Sequence, residues 1–325
     1  LGKNYYHFSK NETPFNNSCS ANIALNKYCT SKLLEKEGIP VPKAISLNFN
    51  EFQQNLHKAK VAPLHFPLVI KPIDGSLGIG VLCNIRTLSE LETYLEKYFS
   101  SYPTLLIEEF HSKLNSYRVL VFNNRILGIV QRYPAAITGD RVHTIKELIT
   151  LENLHRKRIN EALGEIIIDD ESRIKLQELG ITENYIPALG EKIVLCYTSN
   201  ATRGGTYTTL NKKMCKKNRK LLFRVSKVLN LPLAGIDVEC PDIINIPIEQ
   251  SNGVILEVNH KPSIRIHEFP MTGKPQRVTK KIMRSLIIRH PLAYLYSIYN
   301  NQPTAFYVRS IILITIMGLI LLMAW

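Results

Sequence analysis

Apolar residues along this chain fall into short runs, each closed by glycine, proline or charge, and the spacing within each run predicts its element. Pro67–Lys71 (P-L-V-I-K), Val81–Asn84, Thr104–Glu109, Lys192–Tyr197, Leu233–Val238 and Val254–Asn259 are short and apolar and read as buried strands. Tyr117–Phe122 and Arg125–Tyr133 flank Asn123-Asn124, a dipeptide that suits a tight hairpin turn. Helical spacing marks Asn26–Gly38, Leu88–Phe99, Val142–Ala162, Asp169–Leu179, Lys212–Leu229 and Val278–Arg289. Gly38 and Gly180 stand where helix C-caps belong. Ile39-Pro40-Val41-Pro42 forces extended backbone. Leu1–Ala24 is polar and Asn-rich and reads as irregular, as do the glycine loop Asp74–Gly80 and the polar loop Ser199–Thr209. Strands and helices alternate, but with hairpins among them, so the expected class is α+β with lobes rather than a doubly wound parallel sheet.

The last apolar run differs in kind. Ser310–Trp325 carries no charge and is about sixteen residues long, against the ~20 that span a bilayer, and Tyr307 and Val308 extend it. Arg309 can snorkel to the interface. Lys280, Lys281, Arg284 and Arg289 precede it, which predicts a membrane anchor with the rest of the chain in the cytoplasm. A buried or lipid-surface helix is the plainer alternative. Leu1–Lys10 has no apolar core of the signal-peptide kind.

Charge narrows the partners. Lys and Arg exceed Asp and Glu by 41 to 27, a net charge of +14, which suits a polyanion such as a nucleotide, an anionic lipid or an acidic substrate. The basic residues are scattered and no motif sets a helix or an aromatic platform against bases, which argues against nucleic acid. Cys19, Cys29, Cys83, Cys196, Cys215 and Cys240 form no C-x-x-C pair, so a reducing compartment is expected rather than a disulfide framework.

Candidate chemistry concentrates on two strands. Gly235–Glu239 reads G-I-D-V-E, and Gly253–Ser263 reads G-V-I-L-E-V-N-H-K-P-S. Glu257 and Asn259 are two apart and share one face of an extended strand. With Asp237 from a neighbouring strand they make three hard oxygen donors, the set a Mg²⁺ ion prefers. Lys71-Pro-Ile-Asp-Gly-Ser-Leu-Gly-Ile-Gly80 puts a lysine at a strand end ahead of a glycine turn whose N–H groups can face phosphate; alone, it is also a plain glycine hairpin. Glu108-Glu109-Phe110 closes a strand on acid and can face an adenine edge and a ribose, or be an ordinary charged strand end. Arg118 and Arg132 lie inside an apolar hairpin, where each needs an anion. Thr202-Arg203-Gly-Gly-Thr206 is either an oxyanion loop or a flexible surface loop. No Ser/His/Asp triad is readable, and His260 and His267 read as structural.

In order along residues 26–284, these segments resemble the ATP-grasp superfamily, in particular the ATP-grasp domain of cyanophycin synthetase-like carboxylate–amine ligases. The strings that carry the resemblance are V-I-K-P-I-D-G-S-L-G-I-G-V, the long S-Y-R-V-L-V-F-N-N-R-I-L-G-I-V-Q-R-Y-P-A-A-I-T-G-D-R-V-H-T-I-K-E-L-I, and G-I-D-V-E followed by I-L-E-V-N. The resemblance implies two α+β lobes clasping ATP: residues 1–25 irregular, 26–110 the first lobe, 111–290 the second, and 291–325 a linker with the apolar helix. It implies that Lys27, Lys71, Gly75, Ser76, Gly78, Gly80 and Arg118 meet the phosphates, and that Glu108, Glu109 and Phe110 form the adenine hinge. Asp237, Glu257 and Asn259 would hold Mg²⁺ or Mn²⁺. Arg132 and Arg203 would act at the reacting groups, with Arg265 a weaker candidate.

The implied reaction joins a small-molecule or peptide carboxylate to an amine, through an acyl phosphate. A nucleotide-binding module without turnover, serving as a membrane sensor or scaffold, is the second reading. A basic membrane-surface protein without nucleotide is the third. Several positions depart from the pattern. The family's N-S-T-G-G-T loop is N-A-T-R-G-G-T, with Arg203 inside it; the acidic position before Tyr117-Arg118 is Ser116; and the proline-glycine after the metal strand is Pro262-Ser263. No part of these 325 residues resembles the second, Mur-ligase-like ATPase domain of cyanophycin synthetases.

Overall fold

The structure, a computed structural model, describes residues 6–8, 13–75, 78–159 and 163–323. Ser76, Trp325 and the last residues of the helix expected over 142–162 lie outside the described residues. The chain divides into two compact units, Phe15–Gln276 and a second made of 1–14 with 277–325.

In the larger unit, α1 (Ser18–Leu25) and α2 (Lys27–Lys36) lead into β1 (Ala44–Asn48), the short α3 (Phe49–Gln53) and α4 (His57–Val61), then β2 (Leu68–Pro72) and β3 (Leu82–Ile85). α5 (Leu88–Phe99) and β4 (Thr104–Glu109) complete a first antiparallel sheet, in the order β1-β4-β2-β3. Its core forms where Leu68 and Ile70 of β2 and Leu105 and Ile107 of β4 meet Leu91, Leu95 and Phe99 of α5. The i, i+4, i+8 spacing on α5 puts those three on one face, and Thr87 caps the helix by accepting from the Glu90 N–H.

The second sheet has the order β11-β10-β5-β6-β9 and is antiparallel throughout: β5 (Asn115–Phe122), β6 (Arg125–Tyr133), β9 (Thr206–Thr209), β10 (Leu233–Cys240) and β11 (Val254–Asn259). Asn123 and Asn124 turn the β5–β6 hairpin with φ of 46° and 57°, the double left-handed turn that matches strand twist. One face of this sheet packs Val119, Val121, Ile129, Ile236 and Val238 with Leu221, Leu222 and Val225 of α8 (Lys216–Val228). A small sheet of β7 (Ala136–Thr138) and β8 (Lys192–Val194) carries α6 (Ile145–Ile159) and α7 (Asp170–Glu178) around a third core. The single-turn α9 (Arg265–Glu268) follows β11.

The other unit contains α10 (Val278–Arg289), α11 (Pro291–Asn300) and α12 (Gln302–Met323). Residues Thr304–Met323 have a mean hydropathy of 2.3, and all of them but Ala305 are at least partly exposed. Among the described residues this is the one helix long and apolar enough to cross a membrane.

Several expected elements differ. Residues expected to be irregular before Ala24 include helix α1, which Asn17 caps by accepting from the Ser20 N–H at 2.8 Å. The strand expected over 192–197 stops at Val194. The polar loop expected over 199–209 holds a 3-10 turn at Ala201–Arg203, and its last four residues are the edge strand β9. The helix expected from Lys212 begins at Lys216.

Candidate functional site

The face of the second sheet turned away from α8 is built by cross-strand register. Asp237 on β10 stands opposite Arg118 on β5 and opposite Glu257 on β11. Directly opposed residues share a face, so cation, carboxylate and carboxylate form one row across three strands. Asn259 is opposed to Gly235, two residues before Asp237, and joins the same face. A bulge between Asp237 and Val238 makes this possible. It lets Ile255 pair with Val238 toward the core while Glu257 pairs with Asp237 toward the site. Without the extra residue, Ile255 and Glu257 would face the same way.

Arg118 grips Asp237 with two bonds, Nε to Oδ1 and Nη2 to Oδ2, both 2.6 Å. Arg132 adds Nη1 to Oδ2 at 3.1 Å and donates from Nη2 to Ser116 Oγ at 3.0 Å. Burial opposes the charge on Asp237, but the two guanidiniums outweigh it and hold the carboxyl below its ordinary range. Burial also works against Arg118, where Asp237 prevails and raises it, and against Arg132, where burial prevails and lowers it. Among the described residues, Arg132 keeps one buried donor, Nε, with no acceptor. In one orientation of its amide, Asn259 donates to Glu257 Oε1 at 3.3 Å and accepts from Arg118 Nη2 at 3.2 Å. Asp237, Glu257, Asn259, Arg118 and Arg132 are therefore one connected group.

Lysines approach from the first sheet. Lys71 and Glu108 lie on the face of β2 and β4 opposite its core, and Lys71 Nζ donates to Glu108 Oε1 at 2.6 Å with both side chains buried. Burial disfavours the ammonium, yet Glu108, then Glu257, more than compensate and raise Lys71 above its usual value. Lys27 donates to the Gly75 carbonyl. Its burial lowers it, Lys71 adds to that, and Glu257, Asp74 and Glu108 oppose. Glu257 thus lies within electrostatic reach of both lysines. In the glycine loop, Gly78 and Gly80 have φ of +75° and +71°, left-handed values that suit glycine. A Cβ on Gly80 would also press on Pro72 and on the Tyr102 hydroxyl, each at 2.9 Å.

Three expected site residues sit differently. Glu108 is paired with the buried Lys71, which needs its charge. Glu109 turns to the other side of β4, where its carboxylate accepts from the His65 N–H at 3.0 Å and pairs with the ring at 2.8 Å. The backbone N–H groups of Glu109 and Phe110 already donate to Lys43 and Pro67 carbonyls, and the Phe110 ring packs edge-on against Tyr197 at 5.0 Å. Arg203 makes its ion pairs with Asp169 and Glu171 rather than with the Asp237 group.

One residue went unassigned in the sequence. Glu239 is two after Asp237 on β10 and so shares its face; burial pushes its carboxyl up to about 7, with Arg132 opposing. No ion pair or hydrogen bond engages it among the described residues. The last letter of G-I-D-V-E, read at period two, is the signal that locates it.

Residues 24–141 match the family described as the RimK-like ATP-grasp domain. The cyanophycin synthetase of Trichormus variabilis is 32% identical over 267 residues, covering 81% of this chain and 29% of that protein. The chain is a member of the ATP-grasp superfamily. The glutathione biosynthesis bifunctional protein of Pasteurella multocida is 28% identical to this ATP-grasp chain over 287 residues, 85% of the chain and 37% of that protein. The solved structure of a bifunctional glutathione synthetase from the same species superposes with a TM-score of 0.56 at 25% identity, covering 89% of the ATP-grasp chain and 39% of its own. The chain spans less than a third of the cyanophycin synthetase and little over a third of the glutathione protein.

Proposed function

We propose that this ATP-grasp chain is an ATP-dependent carboxylate–amine ligase that joins an amino acid or peptide carboxylate to an amine through an acyl phosphate. The observation that carries the proposal is the row Arg118–Asp237–Glu257 with Asn259, facing Lys71 and Lys27. The relatives, named for cyanophycin and glutathione synthesis, support an amino acid or peptide as substrate.

The donor set fits a divalent ion. Glu257 and Asn259 offer hard oxygens beside Asp237, which the hydrogen-bonded row already orients. Asp237, Glu257 and Asn259 would hold Mg²⁺ or Mn²⁺, which when bound supplies charge neutralisation on phosphate oxygens. The chain's own contribution is positioning and charge. Lys71 and Lys27 neutralise phosphate from the first sheet, beside Gly75, Gly78 and Gly80. The unpaired Nε–H of Arg132 offers a buried donor to an incoming anionic oxygen, and Arg118 holds Asp237 in place for it. Phe110, backed by Tyr197, gives the base an apolar contact. A carboxylate phosphorylated in this setting is open to attack by an amine, with phosphate leaving, and no side-chain nucleophile is required.

The second reading, a nucleotide-binding module without turnover, draws on Arg118 occupying both oxygens of Asp237. ADP release across a panel of amino acids and dipeptides separates the two. The ligase predicts substrate-stimulated ADP release in wild type and its loss in both Asp237→Ala and Glu257→Ala. Nucleotide binding with no stimulated release by any member of the panel favours the module; full release in both variants contradicts the assigned site. In this proposal α12 anchors the catalytic unit at the cytoplasmic face of a membrane, with Arg309 stacked over the Tyr299 ring at 4.7 Å to shield its charge near the interface.

A further inference from the structure

Arg203 is the residue by which the loop N-A-T-R-G-G-T departs from the family pattern, and its contacts point away from substrate chemistry. Nη1 donates to Glu171 Oε2 at 2.6 Å and to the Gly78 carbonyl at 3.2 Å, and Nη2 donates to Asp169. One planar guanidinium thus joins three segments: its own loop, the N-terminal end of α7, and the turn of the glycine loop. A planar fork with fixed donors suits such bridging better than a lysine does.

Both sides of the bridge are braced. Glu171, 1% exposed, uses its other oxygen to accept from the N–H groups of Tyr197 and Thr198 and from the Thr198 hydroxyl. Beneath the loop, Arg156 is 2% exposed and, among the described residues, makes no ion pair. It donates instead to the carbonyls of Gly164, Ala201 and Gly205 at 2.9, 3.4 and 3.2 Å. A buried arginine spent on loop carbonyls fixes the backbone that presents Arg203. The packing of Gly78 is a second, independent observation. A Cβ there would lie 3.0 Å from Thr198 Cγ2, 3.3 Å from Arg203 Cδ and 3.5 Å from Asn200 Nδ2. The glycine turn therefore sits on the 198–203 surface with no room to spare.

We propose that Arg203 is a positioning residue that pins the glycine loop to the braced 198–205 loop, so that the phosphate-facing backbone is held in place before nucleotide arrives. Its function in nucleotide binding rests on the ligase reading; the pinning itself does not. Preorganisation of this kind lowers the ordering cost of binding.

The test uses the full chain with a nitroxide on Ile79→Cys, a position 60% exposed, and with the exposed Cys19 and Cys29 replaced by Ser. Without nucleotide, Arg203→Ala should shorten the label's rotational correlation time at least about threefold, as for a loop released to nanosecond motion. Thermal melting should stay cooperative but fall, because Glu171 is left buried with one oxygen unpaired. ADP should bind ~10-fold more weakly, the scale of one charge-assisted bond. Arg203→Lys should fall between. Asp169→Asn keeps the cap on Ser172 and should give a smaller shift of the same sign, which covers the case of an Arg203→Ala protein that does not fold. Unchanged label mobility in Arg203→Ala, or in Asp169→Asn when Arg203→Ala is unfolded, overturns the proposal. So does a variant whose turnover falls while label mobility and ADP affinity stay at wild-type values, since that marks a direct contact with reacting groups. Because the mobility measurement needs no nucleotide, a chain that binds no ATP would sink the ligase reading and leave the pinning still measurable.

Discussion

Asp237 accepts from two guanidiniums at once, and Lys71 is matched to one carboxylate; both arrangements follow from burial. An ion taken out of water needs a partner with good geometry, and removing one partner strands the other. Glu108→Ala would leave Lys71 buried and alone. The expected loss is ~3 kcal/mol or more, read as a melting temperature roughly 6–12 °C lower, without change in far-UV circular dichroism; an unchanged melting temperature would show the pair contributes nothing. The row on β10 and β11 was legible at this scale, because period two alone puts Glu257 with Asn259. Arg118 and Arg132 were legible as cations in need of an anion. That the anion is Asp237 itself was not, since it depends on the β5–β10 register. The pairing of Glu108 with Lys71 was not legible for the same reason: it is set by which residue of β2 lies diagonal to Glu108. Arg203 was visible only as a departure, and its partners Asp169 and Glu171 lie 34 and 32 residues away in sequence.

Elements with strong local signals emerged as expected. α5, β4, β6, β11 and α10 keep the bounds that periodicity gave them. The Asn-Asn turn formed where its positive φ values cost least. Elements whose existence depends on a distant partner did not. β9 is four residues of Thr and Tyr that become a strand only by pairing with β6, and β1 likewise forms against β4. The bulge on β11 leaves no mark in V-I-L-E-V-N, yet it sends Ile255 and Val258 to the core and Glu257 and Asn259 to the site. At this scale α12 makes its own prediction. Deleting residues 304–325 should move the protein from the membrane fraction to the soluble fraction on cell fractionation, because a largely exposed helix of mean hydropathy 2.3 goes with it; continued sedimentation with membranes would contradict the anchor.

At the scale of the whole larger unit, two antiparallel sheets each bury one face and keep charge on the other. The first brings cations, Lys71 and Lys27 beside it; the second brings the oxygen donors and two more cations. Lys71 is already matched by Glu108, so the first side carries Lys27 in excess, and a triphosphate with a divalent ion suits the pair. The claim that these faces make one nucleotide and metal site is tested most directly by calorimetric titration of ADP with and without Mg²⁺, in wild type, Asp237→Asn and Glu257→Gln. The account predicts Mg²⁺-dependent binding in wild type, with the Mg²⁺ dependence lost in both variants and their melting curves still cooperative. ADP binding that ignores Mg²⁺ in wild type, or a Mg²⁺ dependence that survives in both variants, would contradict it.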